Sequence, residues 1–350
     1  MFDNSRDAMK LKQTLLAAAI CAVAASPALA VELDKPNFYG NLNAGALKIE
    51  GKYAEAEAFE LELGLQGKAA IDQGLNLHYA VEVDLSRAAN SADDPATVRE
   101  GEADVHVKEA KFWLPTRYGL FVAASRGTSG QWTDIYGPIN HYEFNVSRAD
   151  HRPDGIFAQP EWSSGTFAYH TPWFMKTKLV FAAIALNDSN GKDADGLSVR
   201  LVHKGDNLGF AIGTTQLVQE QLPPFATEDY LISAAGVSYQ LGGLALGAVW
   251  ENNRNSPYPL DPQGKADFDS YGVSAQYITE GGAGIALGYK EKDHDYSAVD
   301  NSVYTLKLEQ RITPQVKVWA ETGQYDKPVV SPQGALVTDA NYAIGFNLTF

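Results

Sequence analysis

Apolar side chains recur at every second position along most of this chain, and no stretch repeats them at the spacing of a helix. In NYAIGFNLTF, residues 341 to 350, Tyr342, Ile344, Phe346, Leu348 and Phe350 alternate with Asn341, Ala343, Gly345, Asn347 and Thr349. A period of two belongs to a β-strand with two unlike faces. FELELGLQGKA sets Phe59, Leu61, Leu63 and Leu65 against Glu60, Glu62, Gln66 and Lys68. LNLHYAVEVDL and VYTLKLEQRI, beginning at Leu75 and Val303, repeat the pattern. The chain is therefore all-β.

The connections between these strands take turns in length. Short ones are DQG (72–74), PTRYG (115–119), TPWFMK (171–176), GDN (205–207), GG (242–243), TEGG (279–282) and ITP (312–314). Long ones lie between them, near 87–103, 127–164, 187–196, 217–230, 253–267, 293–301 and 326–339, after a shorter first one at 50–55. A soluble sandwich also alternates, but its loops are usually similar at both ends. Tight turn, long loop, tight turn is the rhythm of a transmembrane antiparallel β-barrel. Its apolar face meets lipid and its polar face lines the lumen, which reconciles 43 acidic residues with strands this greasy. Closure satisfies every backbone donor and acceptor where hydrocarbon offers none.

Sixteen strands result, at 37–49, 56–70, 75–86, 104–114, 120–126, 165–171, 177–186, 197–204, 208–216, 231–241, 244–252, 268–278, 283–292, 302–311, 315–325 and 340–350. Fourteen or eighteen would also keep the count even, which lets the last strand close on the first. Phe350 is then expected at the lipid interface of the closing strand, within the aromatic girdle.

Residues 1–30 read as a removable secretory signal, and residues 31–350 as a single barrel domain. Lys10 and Lys12 precede the apolar run Leu15 to Ala25, and Ala28-Leu29-Ala30 is a small-residue cleavage site. Met9 makes a better start than Met1, because MFDNSRDA adds acids where a signal wants bases. The run is too short to cross a bilayer. The sole cysteine, Cys21, lies in the signal, so the exported chain has neither disulfides nor thiol chemistry. The signal carries three basic and two acidic side chains, so the remainder is one unit more negative than the chain's −15. Such a balance argues against nucleic acid and suits a cation-attracting interior.

LELGLQGKAAIDQGLNLHYAVE, residues 61 to 82, resembles the second and third strands of the Gram-negative general porins, with Gly64, Gly67, Gly74, Leu75 and Glu82 matching. KEAKFWL (108–114) and YHTPWF (169–174) are similar to two further family segments, and Phe350 to its closing aromatic. The resemblance implies a trimer of sixteen-stranded barrels in the Gram-negative outer membrane. Each barrel would be a water-filled channel for passive diffusion of ions and small hydrophilic solutes, narrowed by an inward-folded third loop. It also implies export through the Sec pathway, contact with lipid and lipopolysaccharide, and recognition of Phe350 by the barrel-assembly machinery. No cofactor or metal is implied.

Segment 127–164 stands where the inward loop should be. It carries Asp134, Glu143, Asp150, Asp154 and Glu161, and Trp132, Tyr136 and Tyr142 as packing anchors. A loop this long without its own periodicity is functional or disordered. The first four acids are the candidates for the constriction. On the wall, Lys108 takes the place of a family arginine. Arg126 lies one residue from another, a spacing that a bulge would absorb. Glu62 stands where the family has a wall arginine, and Gln66 replaces a lysine. These changes predict a cation-leaning lumen, unless Glu62 pairs with Lys68 or another base. Lys48, Arg200, Lys204, Lys307, Glu309, Arg311, Lys317 and Glu321 are further lumen candidates. NDSNGKDADG (187–196) is oxygen-rich but lacks the ligand order of a calcium loop. Two other readings compete with a channel. An outer-membrane hydrolase lacks any G-x-S-x-G motif in this sequence, and a plugged structural or adhesive barrel would not conduct.

Overall fold

The computed structural model describes residues 32–51, 53–72, 74–86, 106–127, 130, 132–145, 156–158, 163–185, 195–218, 228–256, 267–295, 300–327, 329–330, 336–337 and 340–350. Sixteen long strands form one antiparallel sheet that closes on itself. They are β1 (Asn37–Ile49), β2 (Ala54–Asp72), β3 (Leu75–Asp84), β4 (His106–Thr116), β5 (Gly119–Gly127), β6 (Ser163–His170), β7 (Thr177–Ile184) and β8 (Gly196–Lys204). β9 (Leu208–Leu217), β10 (Tyr230–Leu241), β11 (Leu244–Arg254), β12 (Phe268–Ile278), β13 (Ala283–His294), β14 (Asn301–Arg311), β15 (Val316–Tyr325) and β16 (Ala340–Thr349) complete the ring. The expected strands are all present, and their ends lie within about two residues of those read from the alternation.

Closure is made by β16 on β1, from Asn341 opposite Ile49 to Thr349 opposite Asn41. Phe350 extends it: its N–H donates to the Gly40 carbonyl at 3.1 Å, and the Gly40 N–H donates back at 3.0 Å. The Phe350 side chain stays exposed on the outer face with Tyr342, Ile344 and Phe346. The outer wall is otherwise built from side chains such as Phe112, Phe121, Phe167, Phe181, Leu197, Ile212, Tyr271 and Leu287, all exposed. These residues would be misplaced in water and are at home in hydrocarbon.

The inner face is largely polar, as the alternation requires, and two side chains lie on a face other than the expected one. β1 and β2 shift register between Asn43 and Ala44, a bulge that leaves Phe59 as the extra residue. Phe59 therefore leaves the outward row of Leu61, Leu63 and Leu65. It packs edge-on against Phe144 and Trp319, with ring centroids at 5.8 and 5.4 Å. Lys48 is also on the outer side, opposite the exposed Tyr342. Lys48 is thus not a lumen residue: β1 has no extra residue, so its alternation runs unbroken from the buried Asn43 through Leu47 and Ile49 and leaves Lys48 outside.

Candidate channel and its inward loop

The barrel interior is occupied by the segment after β5. A wide helical turn at Trp132–Tyr136 and a tighter one at Gly137–Ile139 lie against β9 to β12. Ile135, Tyr136, Ile139, Tyr142, Phe144, Ile156 and Phe157 are all buried. The loop folds inward for a reason that is visible on the wall. Gly236 on β10 and Gly247 on β11 face inward, and the carbonyls of Ile135 and Pro138 sit where their Cβ atoms would be. Gly272, Gly288 and Gly323 leave similar room for Ile139, Tyr142 and Asn145. The loop lies in a shallow trough that any larger side chain would fill.

Two wall carboxylates grip it. Glu321 on β15 accepts from the Glu143 and Asn145 N–H groups at 2.7 and 2.6 Å, and from Asn145 Nδ2 at 2.8 Å. Glu251 on β11 accepts from the Tyr136 hydroxyl, and from the Ala158 N–H at 2.8 Å. Asn145 also exchanges hydrogen bonds with Asn341 at 2.9 Å, and its carbonyl accepts from Lys290 Nζ at 2.8 Å. Ser274 donates to the Pro138 carbonyl at 2.8 Å. Buried backbone groups need such partners, and here the wall supplies them.

Two of the loop's acids point at this same wall. Glu143 is ion-paired with Lys317 and, at 2.6 Å, with Lys307, and it accepts from Asn43 Nδ2 at 2.9 Å. Asp134 pairs with Arg200 and Lys204, each at 3.2 Å. Asp150 and Asp154 lie outside the described residues.

On the far side of the lumen, Glu60, Glu62, Glu82, Asp84 and Glu109 share the inner face of β2 to β4 with Lys108 and Lys111. Lys108 is ion-paired with Glu62 and lies 3.7 Å from Glu82, and Lys111 is 2.8 Å from Glu109. Glu62 therefore takes the paired alternative, with Lys108 and not with Lys68, which holds Asp34 at 3.1 Å near the short-turn end, so a cation-leaning lumen has to rest on the surrounding carboxylates and not on Glu62 alone. The backbone of Arg126 lies opposite Ala110, across a bulge at Ser125.

A polar-walled barrel carrying a loop inside its lumen is the architecture of a diffusion channel, and the sequence agrees. The profile of the Gram-negative porin family matches residues 16–328. The chain belongs to the Gram-negative porins. It is a non-enzymatic β-barrel channel of the outer membrane. The porin's fold is similar to that of Salmonella typhi OmpF, at 14% identity over 91% of this chain and 98% of that one, with a TM-score of 0.70. It is also similar to OmpT from Vibrio cholerae in its trimer form, at 15% identity over 90% and 99%, TM-score 0.63. An anion-selective porin from Comamonas acidovorans gives 14% identity over 90% and 99%, TM-score 0.65. No curated protein matches the porin by sequence comparison.

Sequence reasoning found the loop and missed what holds it. Glu251 and the inward glycines went unremarked, and Glu321 was only one of eight wall charges. Their strand parity was legible. What they touch comes from a loop about 100 residues or more away in sequence.

The loop's attachment is sensitive to acid. Burial, reinforced by Lys307 and Lys290, lowers His141 from its ordinary 6.5 to about 4. Burial alone would raise the Glu143 carboxyl, but Lys307 and Lys317 outweigh it and hold the group below its usual value. Both groups bind protons more readily with the loop detached, so proton uptake favours detachment. The His141 contribution is complete above pH 6.5 and is lost as pH falls toward about 4. The Glu143 contribution is lost at still lower pH. Single-channel current should be quiet at pH 7 and become noisy on acidification below pH 6. Equal noise at pH 7 and 4.5 would show that the loop is held without these groups.

Proposed function

We propose that this porin is a homotrimeric channel for passive diffusion, leaning toward cations, exported through the Sec pathway with residues 1–30 removed. One observation carries the selectivity reading. Asp134 and Glu143 of the inward loop are matched by wall bases, whereas Glu60, Glu62, Glu82, Asp84 and Glu109, on the described inner face of β2 to β4, stand around Lys108 and Lys111. Excess carboxylates along a pore raise the local cation concentration. Trimerisation is supported by the trimer form of the similar OmpT. Phe350, at the closing seam, is the proposed assembly signal.

The test is the reversal potential across a planar bilayer under a potassium chloride gradient. A cation-favouring potential that moves toward zero in Glu62→Gln and Glu82→Gln supports the reading. An anion-favouring potential in the unmodified protein sinks it, and conductance steps that never appear sink the channel itself.

A further inference from the structure

The lumen has a second charged region whose sign is opposite to that of the acidic wall. β6 ends at His170, β7 begins at Thr177 and β8 ends at Lys204, so the ends of these strands meet beside two short turns. His170, Lys178, Arg200 and Lys204 are all on the inner face there, since Lys178 is registered with the buried Val202 and His170 with the buried Val180. The single carboxylate among them is Asp134 of the inward loop, 3.2 Å from both Arg200 and Lys204. Lys178 Nζ lies 3.3 Å from His170 Nδ1 and 5.0 Å from the centroid of the Trp173 ring. The nearby Lys176–Asp206 pair, at 2.5 Å on the turns, is already balanced.

The balance is uneven among the described residues. Three basic side chains surround one carboxylate. Arg200 is buried and committed to Asp134, but Lys204 keeps a side chain 59% exposed and Lys178 is half-buried. An ammonium has three donors and no acceptor. Lys204 gives one donor to Asp134 and retains two. Lys178 can only donate to His170 Nδ1, which places the ring proton on Nε2. That Nε2 is buried and meets no hydrogen-bond acceptor among the described residues. Unspent donors and surplus positive charge at one place suit a compact oxyanion, which accepts several charge-assisted hydrogen bonds at once.

We propose that Lys178 and Lys204 form a subsite for a small multivalent oxyanion, such as phosphate or a phosphate monoester, at the short-turn mouth of the channel. The site rests on the channel reading and deepens it. The acidic wall around Glu62 and the basic mouth lie at different heights in one lumen, so anionic solutes would be detained at one end of a pore that favours cations. Arg200 and Asp134 fix the loop above the site, and Lys178 and Lys204 meet the solute.

The experiment is single-channel recording in potassium chloride at pH 8 with inorganic phosphate added to both chambers. Steps in potassium chloride alone test the channel, and phosphate sensitivity tests the site. Phosphate should lower the open current of the unmodified porin. The Lys178→Gln/Lys204→Gln variant should need at least about tenfold more phosphate for the same reduction. Neither lysine is fully buried, so both variants should fold, and Glu62→Gln should keep full phosphate sensitivity. An equal phosphate response in the lysine variant overturns the proposal, as does no response in the unmodified porin.

Discussion

Replacing Glu321 with alanine should lower the stability of the folded porin by about 3–5 kcal/mol, the usual cost of removing one member of a buried charged network. The carboxylate is 4% exposed and takes hydrogen bonds from two loop N–H groups and the Asn145 amide. Alanine leaves the two loop N–H groups unmet and the Asn145 amide with only its Asn341 acceptor, with Lys290 close by on the same loop residue. The loop should then come off the wall near Asn145, and the open channel should flicker. Glu321→Gln keeps one acceptor oxygen and should cost less. Thermal unfolding in detergent, followed by circular dichroism, measures the first effect, and single-channel noise the second. If the alanine variant melts with the unmodified protein and conducts as quietly, Glu321 does not hold the loop.

Gly247→Val should displace the loop by steric force alone, with no change of charge. The Pro138 carbonyl occupies the space that a Cβ would need, and that carbonyl is fixed by Ser274. Overpacking of this kind costs about 1–3 kcal/mol, and more where backbone must move. The neighbouring bonds of Glu251 to Tyr136 and Ala158 should be strained with it. Because the carbonyl is pushed away from the wall, the conducting path should narrow and the step size fall. Gly281→Ala is the control, since the nearest atom to its Cβ is Thr279 Oγ1 at 3.8 Å. Equal step sizes for the two variants would show that the loop does not need the trough.

The contrast between these residues and the strands themselves shows how far the sequence could be read. Strand positions follow from a period of two, which is set by local backbone geometry and survives without knowledge of any partner. The alternation failed at Phe59, where a bulge changes which face a residue occupies; Lys48 keeps the alternation of its own strand but belongs to its outer row. A bulge depends on two paired strands and leaves little trace in either one alone. The loop's inward fold was implied by the family resemblance, with its length and aromatic anchors in support, but the direction of its acids was not legible. Asp134 and Glu143 bind the wall beside them, where Arg200, Lys204, Lys307 and Lys317 converge from three different strands.

The amino-acid sequence by itself determined a closed, lipid-facing barrel of about sixteen strands whose long and short connections alternate, because alternation and turn length are local and additive along the chain. Only the tertiary structure decided which charges cancel and which face the lumen. Coulomb energies depend on separations of a few ångströms between residues far apart in the chain, and barrel closure, bulges and the glycine trough set those separations.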